Sequence, residues 1–222
     1  MNAATPFEQY QILNLFLKHQ KNPKTILIGF DIAWCEQKKD YQFYRDGVFP
    51  QGLYDDNPYN DFLYMFNSKA LEESARELEY LLGKRSESYS FNGYKDFTPP
   101  MYKFDLDKVQ EKLYPKESKI KDVVEAGYYP NDILIKQIVN AVPNKTLKIF
   151  FFPPYHVSAQ SSMKECKAHL LNLLPKDNEI RIIDFMILSN MTENDRNYWD
   201  ATHYNINVAS QLSQLLKKYI SR

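Results

Sequence analysis

Asp200 and His203 are two residues with acid-base side chains in the stretch YWDATHYN, which runs from Tyr198 to Asn205. In a turn, the D-x-x-H spacing lets the carboxylate accept a hydrogen bond from one imidazole nitrogen. That bond fixes the tautomer and stabilises the cation that forms when the other nitrogen takes a proton. The pattern favours a general base with its orienting carboxylate. The alternative is a helix-capping loop in which His203 only packs, and the spacing alone leaves both interpretations open.

His156 is a second candidate, since it follows Pro153 and Pro154 directly after an apolar stretch. An imidazole at the end of a strand could donate a hydrogen bond to a developing oxyanion or to a substrate carboxylate. The alternative is a rigid Pro-Pro turn that carries a solvent-facing histidine.

The remaining metal-ligating residue types predict no metal site. An acidic and amide cluster lacks the glycine and the terminal glutamate of an EF-hand loop, which favours a turn; its members are Asp55, Asp56, Asn57, Asn60 and Asp61. His19 and His169 fall on predicted helices without partners of metal-site type. Cys35 and Cys166 form no C-x-x-C pair, so their spacing predicts neither a disulfide framework nor a zinc site. We expect no cofactor.

Length and composition restrict the class of protein. The chain has 222 residues, 44% of them hydrophobic, which is enough for one globular domain and excludes disorder for most of the chain. Its 28 basic and 28 acidic residues cancel, so the surplus of positive charge that binds nucleic acid or an anionic membrane is missing. No apolar run could span a bilayer, and no export signal is recognisable at Met1.

The elements that must position these residues alternate between helices and buried apolar strands. Such alternation is typical of an α/β fold with a doubly wound parallel sheet. The predicted helices are Thr5 to about Gln20, a helix capped by Asn131, Ser158–Leu174 and Asn205–Ile220, and the predicted strands are Lys24–Asp31, Leu147–Phe152 and Ile180–Phe185. The D-x-x-H pair then lies in the loop after the last strand, where open α/β sheets place their sites.

The stretch from about residue 36 to residue 130 differs from the rest of the chain in aromatic content and in periodicity. It contains 19 of the 33 aromatic residues and shows weak periodicity, apart from a predicted helix from Ser68 to Leu82. We predict that this stretch is an insertion into a single domain that covers residues 1–222. Its aromatic side chains could stack on sugar faces, although packing in a small satellite core is the favoured interpretation.

The YWDATHYN stretch resembles the last motif block of the SGNH (GDSL-like) hydrolases, a family of esterases and O-acyltransferases with a flavodoxin-like α/β/α fold. The stretch ILIGFD from Ile26 to Asp31 resembles the family's second core strand, and KIFFFPPYH from Lys148 to His156 resembles the strand that ends in its third block. The similarity is closest to the envelope-polysaccharide branch. It implies that His203 is the general base, that Asp200 orients it, and that the substrate is an acylated carbohydrate.

Two features depart from the family pattern. The nucleophilic serine of the family follows a first strand, which would lie before Thr5, and neither that strand nor the serine is present there. We therefore expect Met1 to be an internal methionine or the chain to be a fragment, and the strand of residues 24–31 to have an unpaired inner edge. The asparagine of the family's oxyanion hole also has no counterpart, while Asn2 and Ala3 fall where a second block would supply a backbone donor.

Two functions from different classes follow. The first is an SGNH-type ester hydrolase or O-acyltransferase whose serine lies outside these residues. The second is a catalytically inactive, carbohydrate-associated binding or assembly domain. The resemblance suggests the bacterial cell envelope, whereas the sequence as written carries no export signal, so the compartment stays open.

Overall fold

A computed structural model describes residues 5–35, 43–44, 47–48, 51–55, 57–65, 68–85, 103–115 and 129–220. Its contacts divide the chain into two compact units. The first combines Met1–Gly47 with Phe104–Arg222, and the second is Val48–Lys103. Among the described residues no helix is both long and apolar enough to cross a lipid bilayer.

The helices and strands confirm the α/β class that the sequence predicts. In chain order the elements are α1 (Pro6–His19), β1 (Thr25–Gly29), β2 (Phe43–Tyr44), β3 (Gly47–Val48), α2 (Pro58–Met65), α3 (Ser68–Leu81), α4 (Leu106–Leu113), α5 (Asp132–Ala141), β4 (Leu147–Phe152), α6 (Val157–Leu173), β5 (Ile180–Asp184) and α7 (Ile206–Ile220). Short 3₁₀ turns cover Ile32–Cys35, Gln51–Tyr54 and Asp195–Asn197.

Helix α1 begins as its sequence predicts. The Thr5 hydroxyl accepts a hydrogen bond from the Glu8 backbone N–H at 3.3 Å, and the Glu8 carboxylate accepts one from the Thr5 N–H at 2.7 Å. This reciprocal capping box satisfies two of the N–H groups that a helix start leaves unpaired, and Pro6 occupies the first turn, where no N–H is needed. The start of α1 is therefore fixed by local chemistry.

Three strands of the first unit form a parallel sheet in the order β1-β4-β5. Strand β1 pairs with β4 directly, from Thr25 opposite Leu147 to Gly29 opposite Phe151. The prediction of an unpaired inner edge on the strand of residues 24–31 is therefore wrong. The backbone groups of that edge are satisfied by β4, so the described sheet contains no gap between these two strands.

Alternating side chains of the sheet face two different helical layers. Ile28, Phe150 and Phe152 point to one face, where they form a core with residues of α1, α5 and α6. Ile149 and Ile183 point to the other face and pack against Leu212 and Leu216 of α7. Both faces of β4 are therefore buried, which explains the apolar run Ile149–Phe152 within it.

Cys35 and Cys166 form a disulfide, with their Cα atoms 5.7 Å apart. The prediction of no disulfide is therefore wrong. The two residues are 131 positions apart, and they meet because α6 packs against the 3₁₀ turn Ile32–Cys35. Sequence spacing reveals local cysteine motifs only, so a pair that tertiary packing brings together escapes it.

Two parts of the chain differ in detail from the sequence-based prediction. Asn131 precedes α5, but its side chain does not cap the helix. It is buried, and its Nδ2 donates to the Ala33 carbonyl at 3.1 Å, which ties α5 to the end of β1. Helix α4, which falls in the predicted insertion, belongs to the first unit and contacts the 3₁₀ turn Asp195–Asn197.

The second unit contains α2, α3 and the turn before them. In that turn Asp55 accepts hydrogen bonds from the Asn57 N–H and the Asn60 side chain, both at 2.7 Å. These side chains organise the start of α2, in agreement with the prediction of a turn in place of a calcium loop; Asp56 lies outside the described residues. The predicted helix Ser68–Leu82 is confirmed as α3.

Candidate active site

The loop of residues 185–205, which we call the dyad loop, carries Asp200 and His203 across the carboxyl end of β4. Three hydrogen bonds attach it to the segment after that strand. The His156 N–H donates to the Ala201 carbonyl at 3.0 Å, the Val157 N–H donates to the Thr192 carbonyl at 2.9 Å, and the Tyr198 hydroxyl donates to the Pro154 carbonyl at 2.8 Å. The pair therefore lies at the carboxyl edge of the sheet.

Asp200 and His203 lie within hydrogen-bond distance. The Nδ1 atom of His203 is 2.9 Å from each carboxylate oxygen of Asp200. The same carboxylate accepts hydrogen bonds from the backbone N–H groups of Thr202, at 2.9 Å, and His203, at 3.0 Å. A carboxylate held by this many donors has a fixed orientation, and a proton on Nδ1 leaves Nε2 as the basic nitrogen of the ring.

A short antiparallel turn brings the two residues together. Tyr198 and Tyr204 form an isolated β-bridge, and the Trp199 N–H donates to the His203 carbonyl at 2.8 Å. Below this turn, the Asn205 side chain accepts from the N–H groups of Asn207 and Val208 at the start of α7. The D-x-x-H pair therefore lies in a turn that the Tyr198–Tyr204 bridge closes. The turn leads directly into α7, whose first N–H groups bond to the Asn205 side chain.

The electrostatics of the pair favour its charged form. Burial raises the pKa of Asp200, but the hydrogen bonds from the His203 ring and from the Thr202 N–H outweigh it and hold the pKa well below the ordinary value. The hydrogen bond to Asp200 raises the pKa of His203 above its ordinary value. His203 is also accessible, because 76% of its side chain is exposed.

These shifts predict the titration of His203. We expect its imidazole to titrate above about 6.5, the ordinary value, and the Asp200→Asn variant to lower that pKa because the amide carries no charge. The pair stabilises the folded state fully between roughly pH 4 and pH 6.5, since the Asp200 contribution is lost as pH falls and the His203 contribution as pH rises through its folded pKa. NMR titration of the imidazole signals, assigned with His203→Gln, checks this; an unshifted pKa would contradict it.

His156 has a different environment from the one that either interpretation of the sequence expects. It is fully buried rather than solvent-facing. Its Nδ1 accepts a hydrogen bond from the Ser158 N–H at 3.2 Å and lies 2.9 Å from the Ser158 hydroxyl, while its Nε2 lies 3.2 Å from Asp195. Both ring nitrogens have partners inside the protein, so the ring caps α6 and ties it to the dyad loop. Burial lowers the pKa of His156.

Three residues around His156 were not identified from the sequence. Asp195 accepts hydrogen bonds from the Gln110 side chain at 2.7 Å and from the Tyr114 hydroxyl at 3.1 Å. Both donors lie about 80 positions away in the chain, at the C-terminal end of α4, in the stretch predicted as an insertion. Only the position of Asp195 near the D-x-x-H pair could have drawn attention to it. Asn2 and Ala3, the other candidates for oxyanion stabilisation, lie outside the described residues.

Tyr155 follows β4 and the Pro153-Pro154 pair and adjoins His156. Its side chain is buried, and its pKa is raised, first by burial and then by the nearby charges of Asp31 and Asp200. The phenol therefore stays neutral at physiological pH and keeps a proton that it can donate. Asp31 accepts a hydrogen bond from the Ala33 N–H at 3.0 Å and so shapes the turn after β1. Sequence inspection did not single out Tyr155, although it adjoins His156.

Within the described part of the chain, no group of three or more histidine, cysteine and acidic side chains has the arrangement of a metal site. Comparison of the chain with family models, with curated proteins and with solved structures found no match.

Proposed function

We propose that this chain belongs to an SGNH-type ester hydrolase or O-acyltransferase that acts on an acylated carbohydrate. One observation carries the proposal: an exposed imidazole is held by a carboxylate through Nδ1 at the carboxyl edge of a parallel sheet. This is the arrangement in which histidine acts as a general base in acyl transfer. The acylated carbohydrate is the substrate class that the sequence resemblance implies.

In this proposal His203 takes the proton of the hydroxyl that attacks the acyl carbon. The proton moves to Nε2, for which the described residues supply no partner, and the negative charge of Asp200 stabilises the imidazolium. As the acyl bond breaks, the imidazolium returns the proton to the leaving alkoxide. Asp200 itself stays ionised throughout, in accordance with its lowered pKa.

The attacking hydroxyl is proposed to belong to a serine ahead of α1, as the resemblance implies. The direction of α1 supports this assignment. Helix α1 leads into β1 through a short turn, so its C-terminus lies near the start of that strand and its N-terminus lies towards the carboxyl edge of the sheet. The first turn of α1, from Pro6, therefore lies on the side of the sheet to which the carboxyl ends of the strands point.

The disulfide is compatible with the envelope location that the resemblance suggests. Structural disulfides persist in oxidising compartments such as the periplasm and the cell surface, and they are rare in the cytoplasm of mesophiles. Cys35 and Cys166 are both fully buried, which protects their bond from exchange with small thiols.

We predict that a fluorophosphonate probe will label none of the serines of the 222-residue chain, because none is proposed as the nucleophile. A longer form that carries a G-x-S turn before Thr5 should be labelled at that serine. It should also release acetate from an O-acetylated oligosaccharide, and His203→Ala should abolish the release while His169→Ala should not. Mass spectrometry of the adduct and an acetate assay provide the measurements.

Two results would contradict the proposal in different ways. Labelling of the 222-residue chain, lost on replacing one of its own serines, would show that the nucleophile has been misplaced. Acetate release that is insensitive to His203→Ala would remove the general base. If the longer form were neither labelled nor active but bound the oligosaccharide, the inactive binding domain would become the better description.

A further inference from the structure

Asp195 is the point at which two separate parts of the first unit meet the dyad loop. It begins the 3₁₀ turn Asp195–Asn197, five residues before Asp200. Its Oδ1 atom lies 3.2 Å from His156 Nε2 and 3.1 Å from the Tyr114 hydroxyl, and its Oδ2 atom lies 2.7 Å from Gln110 Nε2. The middle of the dyad loop is thus bonded to α4 and the residue after it on one side, and to the start of α6 on the other.

The hydrogen-bond directions at His156 are determined by its neighbours. Because Nδ1 accepts from the Ser158 N–H, the ring proton of the neutral imidazole is on Nε2 and points to Asp195. The pKa of His156 is lowered by burial, which keeps this tautomer neutral. Asp195 therefore accepts three hydrogen bonds and donates none, which requires it to stay an acceptor through the working pH range.

Aromatic rings pack around this junction. The His156 ring is packed edge to face between Tyr114 and Tyr198, with ring centroids 5.7 Å and 5.1 Å apart. Tyr198 is buried in a cluster with Val109 and Leu113 of α4. Tyr198 also forms the β-bridge with Tyr204 that closes the turn around Asp200 and His203, so the packing around Asp195 is continuous with that turn.

We infer that Asp195 is a positioning residue for the Asp200–His203 pair. Asp195 accepts hydrogen bonds from Gln110, Tyr114 and His156 and so fixes the middle of the dyad loop. This keeps the His203 ring bonded to Asp200 and directed to the carboxyl edge of the sheet. This inference rests on the proposed function for its effect on catalysis. Its effect on the titration of His203 does not depend on any activity.

The test compares Asp195→Ala with Asp132→Ala. Asp132 lies 2.8 Å from His169 Nε2, so the control removes an acidic residue from a second Asp–His pair of the same unit that lies outside the dyad loop. We expect Asp195→Ala to lower the pKa of His203 by about half a unit or more, because the bond to Asp200 is less often formed. The kcat for His203-dependent cleavage of p-nitrophenyl acetate should fall about tenfold, because the base is displaced. The KM should change little, because substrate binding is not affected. Asp132→Ala should change neither quantity.

The Asp195→Asn variant distinguishes the hydrogen-bonding role of the Asp195 side chain from the effect of its negative charge. Its amide oxygen still accepts from His156 and Tyr114, so a positioning role predicts a His203 pKa close to that of the unmodified protein. If Asp195→Asn lowers that pKa as much as Asp195→Ala, or if Asp132→Ala has the same effect, the inference is overturned. Should Asp195→Ala not fold, Tyr114→Phe and Gln110→Ala each remove one donor, and the absence of any shift in both would overturn it equally.

The proposed function and this inference fail separately. If the unmodified protein shows no His203-dependent ester cleavage, the proposed function loses its base, yet the NMR comparison still decides whether Asp195 holds the pair. If cleavage depends on His203 while the His203 pKa is the same in Asp195→Ala and Asp132→Ala, the proposed function stands and the positioning role of Asp195 is wrong.

Discussion

Replacing His203 with alanine should slow the cleavage of p-nitrophenyl acetate by the 222-residue protein by about 100-fold, to the rate of the uncatalysed reaction. A positioned general base contributes roughly 10²–10⁴-fold to proton-transfer reactions, and this activated ester needs no serine to be attacked by water or by the imidazole itself. Release of p-nitrophenolate, followed at neutral pH, is the measurement. Asp200→Asn should lower the rate about tenfold or more, because the amide cannot stabilise the imidazolium.

His169→Ala is the matched control for this experiment. His169 also contacts an aspartate, lying 2.8 Å from Asp132, and its ring stacks on Tyr129 with centroids 3.5 Å apart. Removing it should leave the rate unchanged, because the pair lies between α5 and α6 outside the dyad loop. Equal losses in the two alanine variants would mean that cleavage reflects general imidazole chemistry rather than the proposed site.

Loss of the Cys35–Cys166 bond should cost about 2–5 kcal/mol of the free energy of unfolding, because the bond closes a long loop in the unfolded chain. The 131-residue separation places the expected cost towards the upper part of that range. For a chain of this size the melting temperature should fall by roughly 5–15 °C. Thermal melts of the oxidised protein and of the protein unfolded and refolded with a reductant provide the comparison.

The double variant Cys35→Ala, Cys166→Ala serves as the control for reduction. It lacks the bond under all conditions, so the reductant should not change its melting temperature. Its stability should lie at or somewhat below that of the reduced protein, since truncation of two fully buried side chains also leaves small cavities. Identical melts of the unmodified protein after unfolding and refolding with and without reductant would show that the bond does not form in solution.

The elements with strong local signals could be predicted from the sequence. The threonine, proline and glutamate at the start of α1 specify a capping box with residues only three positions apart. The apolar run Ile149–Phe152 of β4 and the apolar stripe of α6 likewise indicate burial in the sheet and on one helix face. The D-x-x-H pair is of the same kind, because both members belong to one turn and their hydrogen bond needs no distant residue.

Features that depend on distant contacts could not be predicted in this way. The pairing of β1 with β4 joins residues about 120 positions apart, and no local sequence pattern predicts which strand pairs with β1. The same holds for the disulfide and for Asp195, whose partners Gln110 and Tyr114 lie in a region of weak periodicity. Asn131 has the residue type of a helix cap, yet its side chain donates to the backbone carbonyl of Ala33 in the folded chain.

The pH dependence of p-nitrophenyl acetate cleavage tests the central claim that Asp200 and His203 act as one base. The rate should rise with pH through a single inflection above about 6.5, at the pKa that NMR gives for His203, because only the neutral ring accepts a proton. In Asp200→Asn that inflection should move to lower pH together with the NMR pKa, and in His203→Ala it should disappear. An inflection that persists in His203→Ala, or that stays in place when Asp200→Asn shifts the His203 titration, would contradict the assignment of the base.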